Sequence, residues 1–137
     1  MKKIITLLVI FPVFILAGLD MFKVNKALSS IKSSKSLKFY NENKSLELNK
    51  KLHFTSQSKA DILLFPKNKT SKKVLVVDSY KALKDNKNSI AAIYVKKGRT
   101  QIIFVRERLK SNGFDVMKVS KKYLIPECQL QSICLIN

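Results

Sequence analysis

A carboxylic acid, a hydroxyl and a phenol stand in succession at Asp78-Ser79-Tyr80, directly after the apolar run "VLVV". Open α/β sheets place their ligand crevices at the carboxyl ends of strands, so this triplet is the best candidate ligand- or partner-binding site in the chain. The same residue types also have a purely structural use, because Asp and Ser cap the segment that follows a strand. The single histidine, His53, could act as a general base only beside an orienting carboxylate, and none is near it in sequence. Glycine occurs only at Gly18, Gly98 and Gly113. There is no G-x-S-x-G, no H-E-x-x-H and no phosphate-cradling glycine loop. With nine acids in all, paired carboxylates are scarce. The sequence predicts a non-enzymatic protein with no catalytic residues, no metal site and no cofactor.

Cys128 and Cys134 lie in "PECQLQSIC". Their type and spacing suit a disulfide in an exported chain; a redox-responsive pair and two unrelated thiols are the alternatives. Bridged Cα atoms lie about 4.4 to 6.8 Å apart, whereas six steps of helix rise span roughly 9 Å. A bonded tail is therefore expected to turn back on itself and not to continue as a helix.

The formal charge is +18, from 27 basic and 9 acidic residues. Such a charge ordinarily points to phosphate backbones, and "KKGRTQIIFVRER" concentrates it around Arg99 and Arg106. Only Arg99, Arg106 and Arg108 are arginines, however, and the remaining basic residues are lysines. Bidentate reading of bases and phosphates favours Arg, so the composition describes a lysine-rich solvated surface over a buried strand. No nucleic-acid partner is expected. Attraction to an anionic membrane surface or another polyanion is the remaining use of the charge.

The N-terminus argues the same way. Met1-Lys2-Lys3 precedes "IITLLVIFPVFILAG", which is uncharged and ends on the small residues Ala17 and Gly18. A short positive region, an apolar core and small residues at the exit describe a secretory signal peptide, residues 1–18. Pro12 and a run shorter than the roughly 20 residues of a comfortable span count against the alternative, an inner-membrane anchor at residues 4–19. The expected location is the periplasm, away from the genome.

The remaining length holds one domain, residues 19–125, followed by the cysteine tail, residues 126–137. Met21, Val24, Leu28 and Ile31 fall at helical spacing and predict an amphipathic first helix. "LKFY" alternates like a strand, and "KSLELNKKLHF" is ambiguous between helix and strand. "ADILLF" and "VLVVDSY" are apolar on both faces, as buried parallel strands are. "SIAAIYV", the turn "KKGR" and "TQIIFV" form a β-hairpin with Gly98 free to take positive φ. Residues 106–112 read as a helix stopped by Gly113, and "VMKVSKKYL" as a last helix ended by Pro126. The predicted fold is a small three-layer α/β domain with a mixed sheet, central parallel strands and the hairpin at its edge.

The order "ADILLF", "VLVVDS", "YKALKDNKNS", "IAAIYVKKGRTQIIFV", "RERLKSNGFDVMKVSKKYL" resembles the C-terminal half of YfiR-like periplasmic proteins. Asp78-Ser79, Gly98, Phe104, Gly113 and the run from Ser120 to Leu124 stand where that family has its strand-ending Asp-Ser, hairpin Gly and closing helix. The match covers about residues 60–124; Ala91-Ala92 occupy a place where the family has a Gly, and the tail cysteines have no counterpart there. What the resemblance implies is a regulator that binds the periplasmic part of an inner-membrane diguanylate cyclase and restrains it. The expected function is thus an exported protein-binding module serving an inner-membrane partner, with the hairpin or first helix as its contact surface. A periplasmic small-molecule or anion-binding protein using Asp78-Ser79, and a membrane-anchored basic surface protein, are the alternatives. The oligomeric state is not legible.

Overall fold

Asp20 begins the first helix by accepting a hydrogen bond from the Lys23 N–H, satisfying one of the donors that a helix start leaves open. The structure, a computed structural model, describes residues 18–69, 72–132 and 134; apart from Gly18, the predicted signal lies outside them. Helix α1, Met21–Ser29, turns Val24, Ala27 and Leu28 inward. Among the described residues no helix is long and apolar enough to cross a membrane.

The sheet is built from β1 (Phe39–Asn41), β2 (Ile62–Leu64), β3 (Val74–Val77), β4 (Ser89–Lys96), β5 (Arg99–Val105) and β6 (Leu124–Ile125), lying side by side in chain order. The first four run parallel, β5 returns antiparallel to β4, and β6 runs parallel to β5. This is the mixed sheet of a small α/β domain. The predicted hairpin occupies its expected side of the sheet, with β6 as an additional strand outside it.

Alternation along the strands sorts the apolar side chains into two cores. Ile62, Leu64, Val76, Ile93, Ile102 and Phe104 meet α1 together with Leu109 of helix α3, Arg106–Ser111. Leu63, Leu75, Val77, Ala92 and Val105 face the other way, against Ala82 and Leu83 of helix α2, Tyr80–Asp85, and Leu130 of helix α4, Glu127–Leu130. Helices therefore cover both faces, and the central strands β2 and β3 are apolar throughout, as parallel sheets demand. The β3–β4 register shifts between Leu75 and Val76, which pair with Ser89 and Ala91; the extra residue, Ile90, is a bulge that joins the α1 side.

The hairpin closes with two residues. Lys96 pairs with Arg99, leaving Lys97 at φ 51° and Gly98 at φ 73°. Positive φ at both central positions is the type I′ turn, whose twist matches that of the flanking strands.

One expectation needs correction. "VMKVSKKYL" is not a helix: it folds as two short 3-10 turns, Val116–Lys118 and Lys121–Tyr123, followed by β6. Asp115 accepts from the Met117 N–H, Val119 becomes extended, and Leu124 and Ile125 then satisfy the otherwise open edge of β5 opposite Phe104 and Val105. The tail turns back on itself, as expected of a bonded pair. The Cys128–Cys134 disulfide spans a Cα separation of 4.8 Å, reached by one helical turn, α4, and a reversal at Ser132 (φ 54°), while Leu130 is buried to 1 % exposure. Closing so short a loop restrains the unfolded chain by about 2 kcal/mol in the chain-entropy account.

Arg108 fastens this tail to the sheet. Its Nε and Nη2 donate to both carboxylate oxygens of Glu127 at 2.7 Å, and its Nη1 donates to the carbonyls of Leu83 (2.7 Å), Asn86 (3.0 Å) and Ser89 (2.9 Å). The planar fork thus joins α3, the end of α2, the start of β4 and α4. Glu107 adds a second tie by accepting from the Glu127 N–H at 2.7 Å.

Asp61 braces the entry to β1 and β2. It accepts from the Lys38 N–H at 2.9 Å and from the Lys35 ammonium at 3.2 Å. Partial burial pushes its carboxyl up, but those two donors outweigh burial and hold it below its ordinary value of 3.8. A depressed folded pKa favours the native state above the unfolded pKa and loses that contribution as pH falls through the folded one. Asp61→Asn is therefore expected to lower the melting temperature at neutral pH, with the difference from wild type shrinking as the pH drops below 3.8. Equal gaps at neutral and strongly acidic pH in parallel thermal melts would refute this account.

Candidate functional site

The carboxyl ends of β1, β2 and β3 open on a shallow crevice of about 410 Å³ lined by Glu42, Asn43, Lys44, Phe65, Lys67 and Asp78. Each wall is fixed by the loop that leaves its strand. After β1, Asn41 accepts from the Asn43 N–H at 3.0 Å, and Asn43 in turn accepts from the Ser45 N–H and hydroxyl, the Asx geometry that holds polar turns. Glu42 accepts from the Lys67 N–H at 3.0 Å, joining the loops after β1 and β2. The Lys44 ammonium sits over the Tyr40 ring, 4.8 Å from its centroid.

Phe65 ends β2 in the left-handed region, φ 53°, with its side chain buried to 7 % exposure. A bulky residue is held there at a cost of about 1–3 kcal/mol, and such positions concentrate at ligand clamps and switch regions. Burial of the ring in the α1-side core and the Phe65 N–H bond to Val76 (2.8 Å) keep it in place. The crevice carries carboxylates (Glu42, Asp78) as well as ammonium groups (Lys44, Lys67), so its charges balance and do not form an anion cradle. It contains no nucleophile beside a base. Such a lining can offer charge and hydrogen-bond partners to both ends of a small zwitterionic group.

The five predicted contact residues do not form one site. Asp78 is exposed and lines the crevice. Ser79 accepts from the Ala82 N–H at 3.1 Å and is the N-cap of α2, the structural role its position allowed. Tyr80 opens α2, 37 % exposed, close enough to Tyr94 of β4 that a charged Tyr80 would disfavour charge there. Burial and, after it, that neighbour push the Tyr94 phenol up. Arg99 lies at the hairpin tip, on the same end of the sheet. Arg106 does not: it follows the far end of β5, about 20 Å away at roughly 3.4 Å of rise per residue. His53 is exposed, in a groove whose lining includes Lys32, Lys35 and Lys51 and no carboxylate. Among the described residues no group of His, Cys, Asp or Glu is placed to hold a metal ion.

The hairpin itself is the more prominent feature at this end. β3 stops at Val77, opposite Ala92, and β6 pairs only with Phe104 and Val105. Among the described residues, therefore, no strand lies beside the arm from Ile93 to Ile102. α1 covers one face, burying Ile93 and Ile102, and the Asp20 N–H donates to the Thr100 hydroxyl at 2.7 Å. Val95 is 40 % exposed, and Lys96, Lys97 and Arg99 beside it are open to solvent.

No protein-family model matches this chain, and neither a curated protein nor a solved structure matches it.

Proposed function

We propose that this chain is an exported, non-enzymatic binding module that acts in the periplasm on an inner-membrane signalling protein such as a diguanylate cyclase, through the hairpin arm. The observation that carries this reading is the arm: residues 93–102 stand clear of both neighbouring strands, and Val95, Lys96, Lys97 and Arg99 near its tip are exposed. A free strand edge offers backbone donors and acceptors to a partner strand, and the cations speed encounter with an acidic surface. The resemblance of residues 60–124 to YfiR-like regulators supports the same reading.

In-cell crosslinking of the tagged protein, followed by mass spectrometry of the membrane fraction, tests it. Recovery of one inner-membrane protein is expected, reduced at least about tenfold by Arg99→Glu, which sets like charges against each other across the contact. Arg106→Glu, at the other pole, should leave recovery unchanged. Background recovery alone, or equal loss with both variants, would defeat the reading. The strained Phe65 favours a second one, a small-molecule site at the Asp78 crevice, for which a ligand-induced rise in melting temperature that Asp78→Ala removes is the test.

A further inference from the structure

We propose that the face built from α1 and residues 116–123 binds the surface of an anionic lipid bilayer. The two most exposed large apolar side chains described are Met117 (83 %) and Phe22 (77 %), and both stand on this face. Lys26 and Ser30 form one wall of a groove of about 390 Å³, and Met117, Lys118, Lys121 and Lys122 belong to the other. Phe22 precedes Lys26 by one helical turn and lies on the side of α1 away from its buried stripe of Val24, Ala27 and Leu28.

The charge of the face is complementary to lipid phosphate. Lys23, Lys26, Lys118, Lys121 and Lys122 are all exposed, and none makes an ion pair among the described residues. Two carboxylates border the face, Asp20 and Asp115, each accepting from a nearby backbone N–H, of Lys23 and Met117. Positive charge remains in excess. The cations here are lysines without an arginine. Compact ammonium groups on flexible stems suit a fluid headgroup layer, whereas rigid forks suit fixed bidentate partners. Apolar tips flanked by lysines are the arrangement that seats a helix at the headgroup–acyl boundary. The sequence that joins α1 at Asp20 is the uncharged run from Ile4 to Leu19; a chain that keeps this run in a bilayer holds the first turn of α1 at the lipid surface. The inference stands apart from partner docking through the hairpin arm.

The test uses the chain from Gly18 onward, whose buried core begins at Val24, in cosedimentation with vesicles of mixed phosphatidylglycerol and phosphatidylcholine or of phosphatidylcholine alone. Binding to the anionic vesicles only is expected, weakening as salt rises. Lys121→Glu with Lys122→Glu should reduce it by at least about 25-fold, at roughly fivefold per lysine near an anionic surface. Phe22→Ser with Met117→Ser should reduce it about tenfold through lost apolar contact. All four positions are exposed, so unchanged melting temperatures certify the variants as folded. Absence of binding, equal binding to both vesicle types, or binding lost only with Lys97→Glu and Arg99→Glu at the hairpin tip overturns the proposal. So does binding to polyglutamate with none to vesicles, which assigns the face to acidic proteins. Crosslinking through the arm is read separately, so the two readings fail independently.

Discussion

Arg108→Ala is expected to destabilise the protein by about 3 kcal/mol, the low end for breaking a buried ion pair, because Arg108 is buried while the Glu127 side chain, 32 % exposed, stays partly open to water. Arg108 is 5 % exposed, and its removal leaves Glu127 without its bidentate partner and takes one donor from each of the Leu83, Asn86 and Ser89 carbonyls, while the Ser89 hydroxyl still donates to Leu83 and Asn86 and the Ser89 N–H to Asn86. In a domain of this size that is a fall in melting temperature of at least about 10 °C, measurable by circular dichroism. Arg108→Lys should recover little, because an ammonium cannot reach the carboxylate and three carbonyls from one point. Arg108→Met with Glu127→Leu should be milder than Arg108→Ala, since replacing both partners avoids the stranded charge. A shift below about 2 °C for Arg108→Ala would mean that the fork contributes only rigidity.

Phe104→Ala ranks beside it, with an expected loss of about 3–5 kcal/mol. Phe104 is fully buried in β5 between Ala91 of β4 and Leu124 of β6, and its ring fills space that the small Ala91 leaves open on the α1 side. Exchanging the volumes, Ala91→Phe with Phe104→Ala, should restore part of the loss because the pair shares one cross-strand position. Chemical denaturation midpoints at constant slope provide the readout. A double variant no better than Phe104→Ala would show that Phe104 is needed for its shape against Leu124 and not for its volume.

Much of the sheet was legible because its signal is local. "ILLF" and "VLVV" are apolar at every position, which only two-sided burial requires, and "KKGR" between alternating runs names its own turn. The stretch "VMKVSKKYL" misled for an equally physical reason. Val116, Val119 and Tyr123 fall at helical spacing, but the three-residue period of 3-10 turns cannot be told from 3.6 over so short a run. What decides between them is the open edge of β5, which is not visible in sequence. Asp78 does stand just past a strand end and lines the crevice there, while Arg99 and Arg106 are carried to opposite poles because they flank the two ends of one strand, β5. Arg108 left one trace: in a chain that otherwise uses lysine, each of its three arginines is a position where a planar fork could be required.

The position of β6 and α4 also governs when this fold can be completed. A chain made from its amino end presents α1, the parallel strands and the hairpin before Leu124, Ile125 and Leu130 arrive, yet those late residues cover the edge of β5 and complete the second core. Until they emerge, an unprotected strand edge and an apolar sheet face remain open to pairing with other chains. The nascent protein is therefore a natural client for a holding chaperone up to its last few residues. Truncations within the tail should appear in cells as aggregation or proteolysis before any loss of partner binding can be measured.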